Sequence, residues 1–327
     1  MSMSNSRGWV PGVVLAQVLV VGALAVVPAR AQAPSVIADV RAAIAAQDFA
    51  RGDAVLADYR MSRGVTPEFL EALSWMGRGS LAAGRLDAAE AYARETYDLC
   101  LDALDRRPMD AEPRVPIAIG AAIEVQANVR ARRGAVSDAV YFLTRELEAY
   151  GSTSIATRIQ KNINLLSLEG KTAPALDLSE FIGPAPTALA DLKGKVAVLF
   201  FWAHWCPDCK AQSPSLAKLA AAYADQGLVV VAPTQRYGYV TRGQTAAPDE
   251  ERRHIESVLG TYYGFLVGQS IPMSPQNHLR YGVSTTPTLV LVDRAGIVRL
   301  YHPGTLDDAE LEARVRALLA APGGTAD

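Results

Sequence analysis

Two cysteines stand three positions apart in Cys206-Pro207-Asp208-Cys209, directly behind the apolar run Val196 to Trp202. Sulfur at this spacing can supply half of a metal site, close a structural disulfide, or form a pair that opens and closes. A structural zinc site wants four ligands, commonly two such knuckles or added histidines. The chain has three cysteines in all, and His204, His254, His278 and His302 show no knuckle spacing. A structural disulfide closing so small a loop removes little entropy from the unfolded chain. Redox exchange is the reading these residues favour. Copper(I) held by the two thiolates and a histidine is a second class.

Pro207 suits the first position of a helix, where its missing N–H costs nothing. Cys206 then falls at the helix N-terminus, among unpaired N–H groups that favour a thiolate over a thiol. Cys209 lies one turn on, on the same face and within disulfide reach. On this reading Cys206 is an exposed nucleophile and Cys209 resolves the mixed disulfide behind it. His204 and Asp208 flank the nucleophile and push in opposite directions. A partly protonated imidazole would stabilise the thiolate, whereas an ionised carboxylate would destabilise it and favour a reducing enzyme. The favoured reading of His204 is an exposed residue that merely fits the loop. The third cysteine, Cys100, sits in an amphipathic helical stretch and reads as a buried, inert thiol.

The elements that must hold the pair are legible around it. Val196 to Trp202 predicts a central strand covered on both faces. Leu228 to Ala232 and Thr288 to Val292 predict two more, and Ile297 to Tyr301 follows the turn Arg294-Ala295-Gly296. Leu216, Leu219, Ala220 and Tyr223 form the core stripe of a helix, and a last helix is expected from Leu306 to Leu319. The result is an α/β domain with a mixed central sheet flanked by helices. Between Thr234 and Arg280 lies a long insertion, helical over Asp249 to Gly264. Its loop residues Arg236, Tyr237 and Tyr239 read as solvated decoration or as partner-selecting groups.

Upstream of Lys171-Thr172-Ala173-Pro174 the chain reads as an all-α domain. Alanine is abundant and apolar residues recur at three and four. One pattern repeats: Gln47-Asp48-Phe49 with Gly52, Gly84-Arg85-Leu86 with Ala89, and Gly134-Ala135-Val136 with Ala139. The spacing fits degenerate tetratricopeptide-like hairpins or an irregular bundle. Between Arg7 and Arg30 there is no charged residue, which predicts a secretory signal cut after Ala31; an uncleaved anchor competes with it. The expected organisation is a signal peptide over 1–31, a helical domain over 32–170 and the α/β domain over 171–327. Export of this kind suggests the periplasm. A formal charge of −2 with no long basic block excludes nucleic acid as a partner.

Trp202-Ala203-His204-Trp205-Cys206-Pro207-Asp208-Cys209-Lys210 resembles the active-site segment of the thioredoxin fold, specifically the exported TlpA/ResA-like thiol–disulfide oxidoreductases. Pro214 matches the proline that bends the family's active-site helix. Thr285-Thr286-Pro287-Thr288 matches its cis-proline loop, and Gly304 a glycine near that loop. The resemblance covers about residues 174–320. It implies a thioredoxin-like domain and a protein-disulfide reductase in which Cys206 and Cys209 are catalytic. It further implies that Trp205, Thr286 and Pro287 contact the substrate and that Pro207, Asp208 and His204 tune the potential. Implied partners are a disulfide-bearing client protein, with apocytochrome c thiols or a copper-centre protein as examples, and a membrane thiol electron donor. No cofactor or metal is expected, and an adaptor in which the helical half docks a protein partner is a third class. Phe200, Gln212 and Thr288 stand where relatives carry acids credited with proton transfer.

Overall fold

The computed structural model describes residues 35–321, so the expected signal segment, residues 1–31, lies outside the described residues. The described chain opens with α1 (Val36–Ala45), α2 (Phe49–Arg63), α3 (Pro67–Ala82), α4 (Leu86–Leu104), α5 (Arg114–Arg132), α6 (Val136–Tyr150) and α7 (Ala156–Ser167). The repeated triplets mark their turns. Gln47, Gly84 and Gly134 take left-handed φ angles of 60°, 74° and 88°, and each is followed two residues later by the start of the next helix. Gly52, Ala89 and Ala139 are buried, where a small side chain lets paired helices approach closely. α1–α2, α3–α4 and α5–α6 are therefore helical hairpins. Cys100 is buried among them, and burial pushes its thiol up to about 12, as its inert reading requires. Among the described residues no helix is long and apolar enough to cross a membrane.

The remaining elements are β1 (Phe181–Ile182), β2 (Val196–Phe201), α8 (Pro207–Tyr223), β3 (Leu228–Val231), α9 (Pro248–Tyr262), β4 (Ile271–Pro272), α10 (Pro275–Arg280), β5 (Thr288–Val292), β6 (Val298–Pro303) and α11 (Asp308–Ala320). The main sheet runs β3-β2-β5-β6, and β1 pairs with β4 in a separate ribbon. β3 lies parallel to β2 through the α8 crossover, while β5 and β6 are antiparallel to their neighbours. Successive side chains of β2 go to opposite faces. Val196, Val198 and Phe200 pack with Leu216, Ile255 and Leu311 from α8, α9 and α11. Ala197, Leu199 and Phe201 pack with Tyr281, Val283 and Leu168 on the other face. Both faces are covered, which is why the strand is apolar throughout.

Two boundaries move for identifiable reasons. The hairpin strand starts at Val298 because the Asp293 carboxylate accepts N–H bonds from Ala295 and Ile297, holding Ile297 in the turn. The last helix starts at Asp308 because Asp307 caps it, accepting from the N–H groups of Ala309 and Glu310.

α7 packs against the thioredoxin-like half at the end of α10 and the residues just after it. Asn164 Nδ2 donates to the carbonyl of Arg280 at 3.2 Å. Gly282, at φ 60°, lies so close to α7 that an added Cβ would sit 2.3 Å from the Lys161 nitrogen. Beyond α7, residues 170–173 lie along β6: Gly170 N–H donates to Val298 O, and Val298 N–H to Lys171 O. These bonds cover part of what would be an open sheet edge. Gly282→Ala is expected to destabilise the chain by clearly more than the roughly 1 kcal/mol of an ordinary left-handed glycine. Gly64, also left-handed but with open space around its Cβ position, provides the comparison. Equal shifts in urea midpoint for Gly282→Ala and Gly64→Ala would refute the close packing.

Candidate active site

β2 delivers the chain into a short turn whose first residue is tied down by the segment that follows β3. Trp202 is buried; its Nε1–H donates to Ala232 O at 3.1 Å, and its own carbonyl accepts from Thr234 Oγ1 at 2.8 Å. Four residues later Cys206 is the N-cap of α8, with Pro207 in the first turn. Its Sγ accepts the backbone N–H of Cys209 at 3.0 Å. The two cysteines are joined as a disulfide, with Cα atoms 5.3 Å apart. That separation suits the bond and is the one-turn spacing expected from the sequence.

The cis-proline loop lies against the same sulfur. The Thr286–Pro287 bond is cis, and Thr286 O is 3.4 Å from Cys206 Sγ. Pro287 is buried and Thr286 half-buried. Gly304 N–H donates to Pro287 O at 2.8 Å, and Thr288 Oγ1 donates to Thr285 O at 2.7 Å. Cys206, Cys209, Thr286 and Pro287 thus come together. Trp205 stands beside them, 44% exposed, with its ring 5.4 Å from that of Tyr237. Pro207 and Asp208 are exposed on the first turn of α8.

The structure corrects three expectations here. Cys206 is 1% exposed, not an exposed nucleophile, because the disulfide packs into the core with Trp202 and Ala203 beneath the Thr286 carbonyl. His204 is likewise 1% exposed, not an exposed loop residue. The insertion covers it: Tyr237, Tyr239 and His254 meet the ring edge-on, with centroids at 5.7, 5.6 and 5.1 Å. Burial, and then the neighbouring His254, hold the His204 imidazole below its ordinary pKa despite the opposing pull of Glu251. A neutral ring supplies no positive charge to a thiolate. The insertion loop is not solvated decoration either. Tyr237 packs against the core, and Arg236 pairs with the Glu180 carboxylate.

Glu251 is the group that sequence reasoning missed. It is 1% exposed, its carboxylate accepts the N–H groups of Tyr237 at 2.5 Å and Gly238 at 2.9 Å, and it lies 3.3 Å from His204 Nε2. The signal was present: Glu251 falls on the buried stripe of α9 with Ile255, Val258 and Leu259, at helical spacing. Gln212 and Thr288 are each engaged in structural bonds. Gln212 Oε1 accepts the N–H of Leu306 at 2.9 Å, and Phe200 packs against Tyr263.

The matched regions fall in the C-terminal half. A family model described as the AhpC/TSA family matches residues 170–235. A thiol:disulfide interchange protein, DsbE, of Pseudomonas aeruginosa is 32% identical over 142 residues, covering 43% of this chain and 69% of that protein. The thioredoxin-like protein YneN of Bacillus subtilis is 28% identical over 150 residues, covering 45% and 78%. A thiol-disulfide oxidoreductase, ResA, of Geobacillus thermodenitrificans is 28% identical over 149 residues, covering 46% and 77%. Among solved structures, a secreted Mycobacterium tuberculosis disulfide oxidoreductase homologous to E. coli DsbE is 28% identical with a TM-score of 0.33, covering 46% of this chain and 96% of that one.

His278, behind the site, gives a pH test of this packing. It is buried against Phe201 and Tyr237, and burial pushes its imidazole down to about 4. The folded form refuses a proton that the unfolded chain accepts near pH 6.5, so stability is full above about pH 6.5 and falls as pH drops toward 4. The expected loss is roughly 2–3 kcal/mol across that window. Urea titrations at pH 7 and pH 4.5 should show it, and His278→Gln should flatten the dependence. A variant as acid-sensitive as the wild type would remove His278 from the explanation.

Proposed function

The chain belongs to the thiol–disulfide oxidoreductases of the DsbE and ResA type, and from that premise we propose that it reduces disulfides of exported client proteins through Cys206 and Cys209. One observation carries the reading: a cysteine pair, closed as a disulfide at the N-terminus of α8, has its first sulfur against the Thr286 carbonyl. In the reduced chain the α8 N-terminus and the Cys209 N–H favour the Cys206 thiolate. That thiolate attacks one sulfur of the client disulfide. The client S–S bond breaks, a mixed disulfide forms, and the client's other sulfur leaves as a thiolate that takes up a proton. Cys209, deprotonated, attacks the Cys206 sulfur, forms the internal disulfide and releases the second client thiol. The client gains two electrons and two protons, and a membrane dithiol donor returns them to the pair.

The remaining parts of the reading concern place and contacts. Residues 1–31 act as a cleaved signal that delivers the chain to the periplasm, and the division at about residue 170 separates a helical from a thioredoxin-like domain. Trp205, Thr286 and Pro287 contact the client, whose extended segment pairs with the Thr286 backbone. Pro207 and Asp208 tune the pair. Because His204 is neutral and buried, the exposed charge of Asp208 is left to act against the thiolate, which makes the pair reducing.

Two experiments test this. A Cys209→Ser chain keeps the attacking thiol and loses the resolving one, so it should accumulate mixed disulfides with periplasmic proteins; Cys206→Ser should not. No adduct with either variant would end the reductase reading. Equilibration with glutathione should give a potential nearer roughly −270 mV than roughly −120 mV, and a value above roughly −180 mV would refute a reducing role. Asp208→Asn should raise that potential by roughly 10–20 mV, since it stabilises the reduced form; no rise would remove Asp208 from the tuning.

A further inference from the structure

The helical half meets the cis-proline loop at a place that the exchange chemistry does not use. A cavity of about 410 Å³ opens there, lined by Pro113, Pro116, Ile117, Ile155, Arg158 and Ser284 among others. Five of these belong to α5, the approach to it, or α7 and its N-cap, while Ser284 precedes Thr286 by two residues. Two residues of chain span at most about 7 Å, so the cavity wall begins within that distance of the Thr286 backbone. Thr286 O in turn lies 3.4 Å from the Cys206 sulfur.

The lining is apolar in effect. Arg158 directs its Nε–H to Glu124 at 2.9 Å, and Asp110 at the rim accepts from the backbone N–H and hydroxyl of Ser154. The charges are engaged within the helical half, while Ile117 on α5 is left 40% exposed. The wall is also fixed relative to the sulfur, because Gly282 packs against the α7 backbone and Asn164 holds the Arg280 carbonyl.

We infer that this cavity is a binding site for the client polypeptide itself, taking aliphatic side chains two to four positions from the cysteine under attack. A client bonded to Cys206 has its backbone beside Thr286, and an extended segment advances about 3.3 Å per residue, so the residues next along the strand reach Ser284 and then the cavity. The inference rests on the reductase reading and adds the surface that discriminates among clients: the helical half reads sequence, the thiol half does chemistry.

The test uses the full chain, reduced beforehand, and follows its oxidation by three probes. Two are nine-residue peptides whose central cysteine is in disulfide with glutathione, with Leu or with Asp at positions two to four from it on both sides. The third is glutathione disulfide. The Leu peptide should oxidise the wild type about tenfold faster than the Asp peptide, the scale of partly burying one aliphatic side chain. Ile117→Glu and Ser284→Trp, on different elements, should each lower the ratio of Leu-peptide rate to glutathione-disulfide rate about tenfold. Ratios within twofold of wild type in both variants would overturn the inference while leaving the reductase reading intact. A wild-type chain that no probe oxidises would overturn the reductase reading, and the inference with it.

Discussion

The sulfur of Cys206 sits between two backbone groups that come from distant parts of the chain: the N–H of Cys209 in front and the carbonyl of Thr286 behind. Their meeting is a matter of strand register. Phe201 at the end of β2 pairs with Thr288 at the start of β5. Because the two strands are antiparallel, the residues just after Phe201 and just before Thr288 leave the sheet at the same end. A register slip of one residue would turn each β2 side chain to the opposite face, and β2, apolar at every position, carries no polar marker to prevent it. What fixes the register lies at the ends. Thr234 and Ala232 hold Trp202 from one side, and Gly304 holds Pro287 from the other.

The same constraint explains why the helical half matters to a site it does not contain. The loop before β5 has no sheet partner, so its position must come from packing. Tyr301 on β6 donates its hydroxyl to Tyr281 O at 2.7 Å, Tyr281 packs against Phe201, and α7 presses on Gly282. Three elements thus meet at two consecutive residues, 281 and 282, shortly ahead of the residues that face the disulfide. Tyr281 also donates its hydroxyl to Pro174 O at 2.6 Å, which fastens the segment leaving the helices to the same point.

Much of this was legible in the residues, and the parts that were not share a cause. The β2 run, the Pro207 helix start, the stripe of α8 and the repeated helical turns all express local periodicity or local backbone preference, which neighbouring residues reveal. The Thr286–Pro287 loop was legible only through resemblance, since a cis bond has no local mark beyond the proline. Burial of His204 depends on Tyr237, Tyr239, Glu251 and His254, all more than thirty positions away. Gly282 reads as an ordinary turn residue; that it meets Lys161 requires knowing where α7 lies.

His204 and Glu251 show how an insertion can change the electrostatics of a site without touching its sulfurs. A carboxylate taken out of water needs several hydrogen bonds to remain folded in place, and Glu251 finds two in the amides of Tyr237 and Gly238. Those amides belong to the loop that also supplies the rings around His204. The acid therefore organises the cover, the cover desolvates the imidazole, and desolvation keeps the ring neutral. Phe200 occupies the strand position six residues before Cys206, where it completes the apolar core with Tyr263, which follows α9 in the same insertion. An acid on the strand would stand unpaired in that packing, whereas an acid on α9 meets amides already turned toward it. The polar group and part of the aromatic core are thus both supplied by one inserted segment.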